Sequence, residues 1–213
     1  MNFPKLNDPK TAEFVGIMLG DGSIGIYKCK AKNRITNMYQ MKITIDSREI
    51  SYINYLYHLI EYLFCIKPKI NYKKKENTAD IRIFRRNIVN FAINEIGLKI
   101  SPKWNSAKIP DMYFNNELEN LVLRGIFDTD GCVSITKNNG ILYPRLELKI
   151  CPSPMQNQFI EILERLEFNF KVQALDKGKV RLRINGKKQM RKWLAIVGTN
   201  NPKHYDKLNK ILQ

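Results

Sequence analysis

The chain has 213 residues, of which 44% are hydrophobic and 26% charged, a balance that allows a sizeable core and excludes a disordered or low-complexity protein. Its 36 lysines and arginines outnumber its 20 aspartates and glutamates, which gives a formal net charge of +16. A positive field of this size favours nucleic acid as the partner. No run of about 18 apolar residues and no lipidation signal occurs, so we expect no membrane partner.

The N-terminal segment and the cysteines narrow the cellular setting. The first ten residues lack the apolar stretch of a secretion signal. The cysteines form no C-x-x-C pair, which disfavours both a zinc site and a disulfide framework. They are Cys29, Cys65, Cys132 and Cys151. We therefore expect reduced thiols in an intracellular protein, in the cytoplasm of a prokaryote or in an organelle.

A short apolar stretch ending in Asp-Gly occurs twice. It reads FVGIMLGDGSI at residues 14–24 and LRGIFDTDGCV at residues 123–133. Each copy predicts a helix, which we here call a motif helix. We expect it to end at Gly22 or Gly131 in the left-handed backbone conformation that glycine tolerates.

Small residues lie one helical turn apart within each copy. They are Gly16 and Gly20 in the first copy and Gly125 and Thr129 in the second. Residues four apart share one face of a helix, so two helices with such faces can approach closely. We therefore predict that the two repeats pair through their motif helices.

The same order of elements follows each copy. Alternation of apolar and polar residues predicts strands, and apolar residues at helical spacing predict helices. The first repeat gives a strand at 38–45, a helix at 47–64, strands at 69–74 and 81–84, and a helix at 87–96. The second gives a strand at 145–150, a helix at 155–166, strands at 171–175 and 180–184, and a helix at 188–196. Prolines 102 and 110 mark the connection, which predicts repeats at 1–104 and 121–213 joined by residues 105–120.

Positive charge concentrates on the last strand pair of each repeat. Residues 171–192 hold nine lysines and arginines against one acid, and residues 67–86 hold eight against two. Arg181 and Arg183 alternate with aliphatic residues, so both project from one side of the predicted sheet. A solvated face is the alternative interpretation, but two such faces in related halves favour one continuous nucleic-acid surface.

The aspartates of the two Asp-Gly pairs, Asp21 and Asp130, lie where helix dipoles disfavour negative charge, by about 0.3–1 kcal/mol each. Two carboxylates at paired helix ends also repel each other. A divalent cation relieves both penalties, and oxygen ligands suit Mg²⁺. One Asp-Gly alone is typical of a turn. Two at equivalent positions in a basic protein predict a metal site.

A competing motif is the G-x-G-x-x-G of dinucleotide-binding proteins, which residues 20–25 match. That site needs a helix directly after the glycines, whereas Ile26 to Met38 has the pattern of strand and loop. Asp21 inside the loop would also repel a pyrophosphate, and the second copy lacks the later glycine. We therefore reject a dinucleotide site.

The segments Phe14 to Gly22 and Leu123 to Gly131 resemble the paired signature of the LAGLIDADG homing endonucleases in their single-chain, two-repeat form. The second copy has Gly125, Asp128, Asp130 and Gly131 in their family places. In the first copy, Leu19 replaces the earlier acid, but the final Asp-Gly remains.

The resemblance implies an α+β fold of two pseudo-symmetric αββαββα halves, with antiparallel sheets forming a saddle over double-stranded DNA. It implies a monomeric endonuclease that cuts both strands of a long, asymmetric site, with Mg²⁺ as cofactor and Mn²⁺ or Ca²⁺ as substitutes. Asp21 and Asp130 would hold the metal and act in catalysis, with Gly20 and Thr129 also among the metal-binding residues.

Family active sites also carry basic residues and a polar residue at the end of the second strand. For the basic residues we predict Lys103 and Lys203, each of which follows a proline after the closing helix of its repeat. The strand-end positions, taken as Ile45 and Pro152, lack the glutamine frequent in the family.

Contacts to DNA are expected from polar residues of the strands and their connections. In the first half these are Lys28, Lys30, Arg34, Gln40, Lys42, Lys73, Lys75 and Arg82. In the second they are Arg145, Glu147, Lys149, Lys171, Arg181 and Arg183.

Other functions stay open at this point. A non-cleaving binder on the same fold, such as a maturase that assists the splicing of intron RNA, is the main alternative. An intein endonuclease domain is disfavoured because the chain starts with Met1 and shows no flanking splicing blocks. His58 and His204 are too far apart in sequence to suggest a histidine-based nuclease.

Overall fold

The computed structural model describes residues 3–31 and 34–212, which form seven helices and two four-stranded antiparallel sheets. The first half comprises α1 (Pro9–Leu19), β1 (Gly22–Ala31), β2 (Arg34–Asp46), α2 (Ile50–Phe64), β3 (Lys69–Lys73), β4 (Thr78–Ile83) and α3 (Arg86–Asn94). The second half comprises α4 (Glu119–Asp130), β5 (Gly131–Asn138), β6 (Ile141–Ile150), α5 (Pro154–Arg165), β7 (Phe170–Ala174), β8 (Val180–Asn185), α6 (Lys187–Ile196) and α7 (Pro202–Leu212). Residues 1 and 213, the outer bounds of the predicted repeats, lie outside the described residues.

The αββαββα order is confirmed in both halves. The strands are arranged β1-β2-β4-β3 in one sheet and β5-β6-β8-β7 in the other, so the two sheets have the same topology. Helix α7 is additional to the predicted order. It starts at Pro202, a residue favoured in the first turn of a helix, and buries Leu208 and Ile211. No helix within the described residues is long and apolar enough to cross a membrane.

One face of each sheet packs on helices to form the core. On β2, Met41, Ile43 and Ile45 are buried while the residues between them are partly exposed. On β8, Leu182 and Ile184 are buried in the same way. The alternation places the polar residues of these strands on the opposite face of each sheet.

The two halves join through α1 and α4, as predicted. A Cβ atom built on Gly16 would lie 2.9 Å from Gly125 Cα, and one built on Gly125 would lie 2.6 Å from the Ile17 nitrogen. Real Cβ atoms do not approach other atoms so closely. The helices therefore pack backbone to backbone at these two glycines.

The predicted left-handed conformation of Gly22 and Gly131 is wrong. Neither has a positive φ, and Gly131 is extended, with φ −79° and ψ 163°. Each of these glycines is the first residue of a strand that folds directly back on the preceding helix. A Cβ on Gly22 would lie 2.5 Å from Met18 Cα, and one on Gly131 would lie 2.6 Å from a ring carbon of Phe127. Lack of space, not backbone conformation, requires glycine here.

Candidate active site and nucleic-acid interface

Asp21 and Asp130 come together at the ends of the two motif helices. Asp130 is the last residue of α4, and Asp21 lies between the end of α1 and the start of β1. Gly20, the residue before Asp21, lies against Asp130, since a Cβ atom built on Gly20 would lie 3.3 Å from Asp130 Oδ2. No hydrogen-bond donor in the described part of the chain bonds to either carboxylate.

Both carboxyls have a raised pKa. Burial and, after it, the charge of Asp130 raise the pKa of Asp21 to about 7, while Lys103 opposes the shift. Burial also raises the pKa of Asp130, again opposed by Lys103. Asp21 is partly exposed and Asp130 is exposed, so solvent and a cation can reach both carboxylates. Two neighbouring carboxylates without donors favour a cation that joins them. Within residues 3–31 and 34–212 no group of three or more His, Cys, Asp or Glu side chains could hold a metal. The two aspartates with backbone carbonyls are therefore the donors that fit a hard divalent ion.

The structure places Lys103 beside this pair. Its ammonium group donates to the carbonyl oxygens of Met18 and Gly20, the latter at 2.8 Å. Burial lowers the pKa of Lys103 to about 8, and the charges of Asp130 and Asp21 oppose the shift. Lys103 thus caps α1 and sets a positive charge next to both acids. The hydrogen bond from Lys103 also engages the backbone carbonyl of Gly20, which is one of the predicted metal-binding residues.

Thr129, the other predicted metal-binding neighbour, directs its hydroxyl away from the acids. Its Oγ1 donates to the carbonyl oxygens of Gly125 and Ile126, both at 3.0 Å. A Cβ on Gly20 would overlap this hydroxyl. The side chain of Thr129 therefore packs between the helix ends, with its hydroxyl bonded to the backbone of its own helix.

Lys203 is placed differently from Lys103. Its ammonium donates to Glu49 Oε1 at 2.8 Å, and its side chain is half exposed. Glu49 raises and Lys203 lowers the pKa of Asp21, so both lie close enough to act on that carboxyl. Buried Asn201 fixes Glu49 by donating to Glu49 Oε2 at 2.9 Å. The two predicted lysines therefore flank the site without occupying equivalent positions.

The strand-end position predicted at Ile45 carries no polar side chain toward the site. Ile45 is 5% exposed and faces the core, because it alternates with the polar residues of β2. The acidic group that acts on Asp21 comes four residues later, just before α2. In the second half, Pro152 lies next to Cys151 and Ser153, which line a pocket of about 390 Å³ together with Lys103 and Asp130.

Asp128, the earlier acid of the second motif, lies in the interface between the halves. It is 1% exposed and accepts hydrogen bonds from the Thr199 hydroxyl and from the Asn200 backbone N–H, the latter at 2.7 Å. Burial raises the pKa of Asp128 to about 7 against these hydrogen bonds. Asn200 also donates to Glu13 Oε1 at 2.7 Å. The loop between α6 and α7 thereby links the second half to α1.

All six residues predicted to contact DNA in the second half lie on one face. The strand register sets them in cross-strand rows on β6, β8 and β7, on the face opposite Leu148 and Leu182. They are Arg145, Glu147, Lys149, Lys171, Arg181 and Arg183.

The first half follows the prediction in part. Arg34, Gln40, Lys42, Lys73 and Arg82 share the face of the sheet opposite the core. Lys75 lies in the short 3-10 turn between β3 and β4. Lys28 and Lys30 point to the other side of the sheet, the side of Ile24, because side chains alternate along β1. These two lysines therefore do not share a sheet face with the other five, and their contact with DNA stays a prediction.

The family comparison agrees with this geometry. A model described as the LAGLIDADG DNA endonuclease family matches residues 13–194, which include most of α1, all of α4 and both sheets. The chain belongs to the LAGLIDADG DNA endonuclease family. The dinucleotide-binding motif is excluded by the fold as well, since β1 and not a helix follows Gly20 to Gly22.

Solved LAGLIDADG structures share the fold of the chain. The I-LtrWI homing endonuclease bound to target DNA is 13% identical, with a TM-score of 0.65 over 96% of this chain and 89% of that one. I-DmoI in complex with DNA and Mn is 18% identical, with a TM-score of 0.61 over 89% of this chain and 96% of that one. A DNA polymerase of Thermococcus kodakarensis is 24% identical over 209 residues, 94% of this chain. The chain spans only 12% of that polymerase.

Three polar residues of this LAGLIDADG protein were not found from the sequence. Glu49 and Asn201 are 152 residues apart, and only the fold brings them to Asp21. Asp80 lies on the basic face of the first sheet, fully buried under Arg82 and Thr44. Its alternation with Ala79 and Ile81 does place it on the polar face, so the strand pattern contained that signal.

Proposed function

We propose that the protein is a site-specific endonuclease that cuts both strands of double-stranded DNA with divalent metal held by Asp21 and Asp130. The observation that carries the proposal is the meeting of two carboxylates of raised pKa, which accept no hydrogen bond within the described residues, at the ends of the paired motif helices between two sheets with basic faces. Family membership supports DNA as the substrate. The solved relatives bound to target DNA, and I-DmoI with DNA and Mn, support both DNA and a divalent metal, for which we propose Mg²⁺.

The residues of the chain have separate roles in this reaction. When bound, a divalent cation neutralises charge on the scissile phosphate and makes water a better nucleophile. Asp21 and Asp130 hold the negative charge that recruits the cation. Lys103 adds a fixed positive charge beside them, suited to a phosphate that gains charge during hydrolysis. The polar sheet faces bind the DNA backbone and base edges in a saddle. Because one chain supplies both acids, we propose that it acts as a monomer on an asymmetric site, as expected of a homing enzyme encoded in or near its target.

Cleavage of a plasmid library that carries randomised or host-derived intron-insertion sequences tests the proposal. We expect discrete cuts with short 3′ overhangs in Mg²⁺ and none in EDTA. Asp21→Asn and Asp130→Asn should abolish double-strand cleavage and spare binding. Asp206→Asn, an exposed acid on α7, is the matched control and should cut normally. Full cutting by both active-site variants would refute the metal site. No cutting, together with tight binding and splicing of intron RNA, would favour the maturase alternative.

A further inference from the structure

On each basic sheet face, one acidic residue pairs with an arginine of the last strand pair. Arg82 Nη2 lies 2.5 Å from Asp80 Oδ2 in the first sheet. Arg183 Nε donates to Glu147 Oε1 at 2.7 Å in the second. Acids weaken attraction to phosphate, so a face that served only to hold the DNA backbone would not need them. Their placement against arginines calls for another explanation.

The two arginines occupy equivalent positions in the two sheets. In the first sheet, Gly22 pairs with Ile43, Ile43 pairs with Ile81 on β4, and Arg82 is the next residue. In the second sheet, Gly131 pairs with Leu148, Leu148 pairs with Leu182 on β8, and Arg183 is the next residue. Their acids do not correspond. Asp80 precedes Arg82 by two residues on the same strand, whereas Glu147 faces Arg183 from the neighbouring strand. The arginines at the two equivalent positions are thus each held by a carboxylate, but in unrelated ways. This indicates that a fixed arginine at this position, and not a particular acid, is the shared feature.

A carboxylate on one side of a guanidinium fixes its plane and leaves donors on the other side. Each pairing uses one of the five N–H donors of the arginine. Both side chains remain partly open, at 27% exposure for Arg82 and 30% for Arg183. Asp80 is itself held by the Thr44 hydroxyl at 2.8 Å and lies 3.5 Å from the Lys73 ammonium. The guanidinium groups are therefore oriented before DNA arrives.

An oriented guanidinium fits an acceptor pair of fixed geometry. In the major groove that pair is the O6 and N7 of guanine, the most frequent specific partner of arginine. Resting on the DNA function proposed above, we propose that Arg82 and Arg183 each read a guanine in the major groove. The two G·C base pairs then lie at equal distances from the centre of the target, one in each half. Asp80 and Glu147 are positioning residues for this readout.

Selection of binding sites from a randomised duplex library, followed by sequencing, tests the proposal. The protein is used in EDTA, so that binding is measured without cleavage. For the wild type we expect two G·C pairs placed symmetrically about the centre, each preferred about 5-fold to 150-fold over other pairs. Arg82→Lys should remove one preference and Arg183→Lys the other, because lysine keeps the charge and loses the bidentate geometry.

Two further variants separate readout from general effects. Arg181→Lys is the matched control, since Arg181 shares strand and face with Arg183 and has no acidic partner within the described residues; both guanine preferences should remain. Glu147→Gln should lower the preference at the Arg183 position at least about 5-fold while affinity for unrelated DNA stays equal or rises, since a negative charge is lost. If Glu147 only stabilised the fold, its replacement would lower the guanine preference and the affinity for unrelated DNA together. Specific sites without the paired G·C, or paired G·C that survives both lysine variants, would overturn the inference alone. Absence of any selected site would overturn it together with the proposed DNA function.

Discussion

Replacing Asp21 with asparagine should stabilise the protein at high pH while it removes cleavage. An acid whose pKa is raised on folding binds its proton more tightly in the folded chain, so stability falls as pH rises from 3.8 to about 7 and is constant above that. A rise of this size corresponds to about 4 kcal/mol at pH 8. The unpaired amide of asparagine costs about 2 kcal/mol. The variant should therefore be about 2 kcal/mol more stable at pH 8, with no advantage near pH 4.

Urea unfolding of wild type and variant in EDTA, followed by circular dichroism at pH 4.5, 6 and 8, measures this difference. The variant is compared with the wild type at each pH because other titrating groups also change the free energy of unfolding with pH. The pKa of His204 is lowered by burial to about 4, so its charging destabilises the fold as pH falls from 6.5 to about 4. The lowered pKa of Lys103, about 8, makes stability rise with pH only from about pH 8 upward, so Lys103 contributes only at the upper end of this window. The variant Asp206→Asn, which removes an exposed acid on α7, is the matched control. A gap between Asp21→Asn and wild type that is the same at pH 4.5 and pH 8 would refute the reasoning.

Three further predictions concern the interface, the site and the charge. Gly125→Ala should destabilise the protein by about 2 kcal/mol in urea unfolding, because overlap with α1 exceeds the helix preference of alanine; Asn157→Ala on the exposed face of α5 should change little, and equal stability would contradict close packing. Asn201→Ala should release Glu49, lowering kcat for cleavage more than it raises KM in steady-state assays; an unchanged kcat would refute its positioning role. Affinity for any duplex should fall about 10³-fold or more from 50 to 200 mM salt in a binding titration. Salt-independent binding would exclude the basic faces as the interface.

The sequence was most informative where structure repeats locally. The two Asp-Gly copies predicted α1, α4 and their close packing, because small residues four apart define a helix face. Alternation along β2, β6 and β8 placed the polar residues on one face of each sheet. The same rule would have separated Lys28 and Lys30 from Gln40, since cross-strand rows on β1 and β2 set which side each residue occupies.

What the sequence could not reveal depends on contacts between distant segments. The pairing of Glu49 with Lys203 and Asn201 joins the start of α2 to the start of α7, and neither position has a local pattern that marks it. The conformation of Gly22 was mistaken because Asp-Gly after a helix usually indicates a left-handed cap. Here the strand folds back at once, so the last turn of α1 fills the space that a side chain would need.

The hydrogen bonds between the α6–α7 loop and α1 limit how the two halves can be exchanged. Glu13 is 3% exposed and depends on Asn200 of the other half and on Tyr55, which donates at 2.7 Å. Aligning the motif glycines Gly16 and Gly125 sets Val122 opposite Glu13, so the second half has no acid to match it. A symmetric protein built from two copies of the first half would bury two glutamates without the asparagine. Chimaeras that recombine halves with those of relatives should therefore carry α1 and the α6–α7 loop as a matched pair.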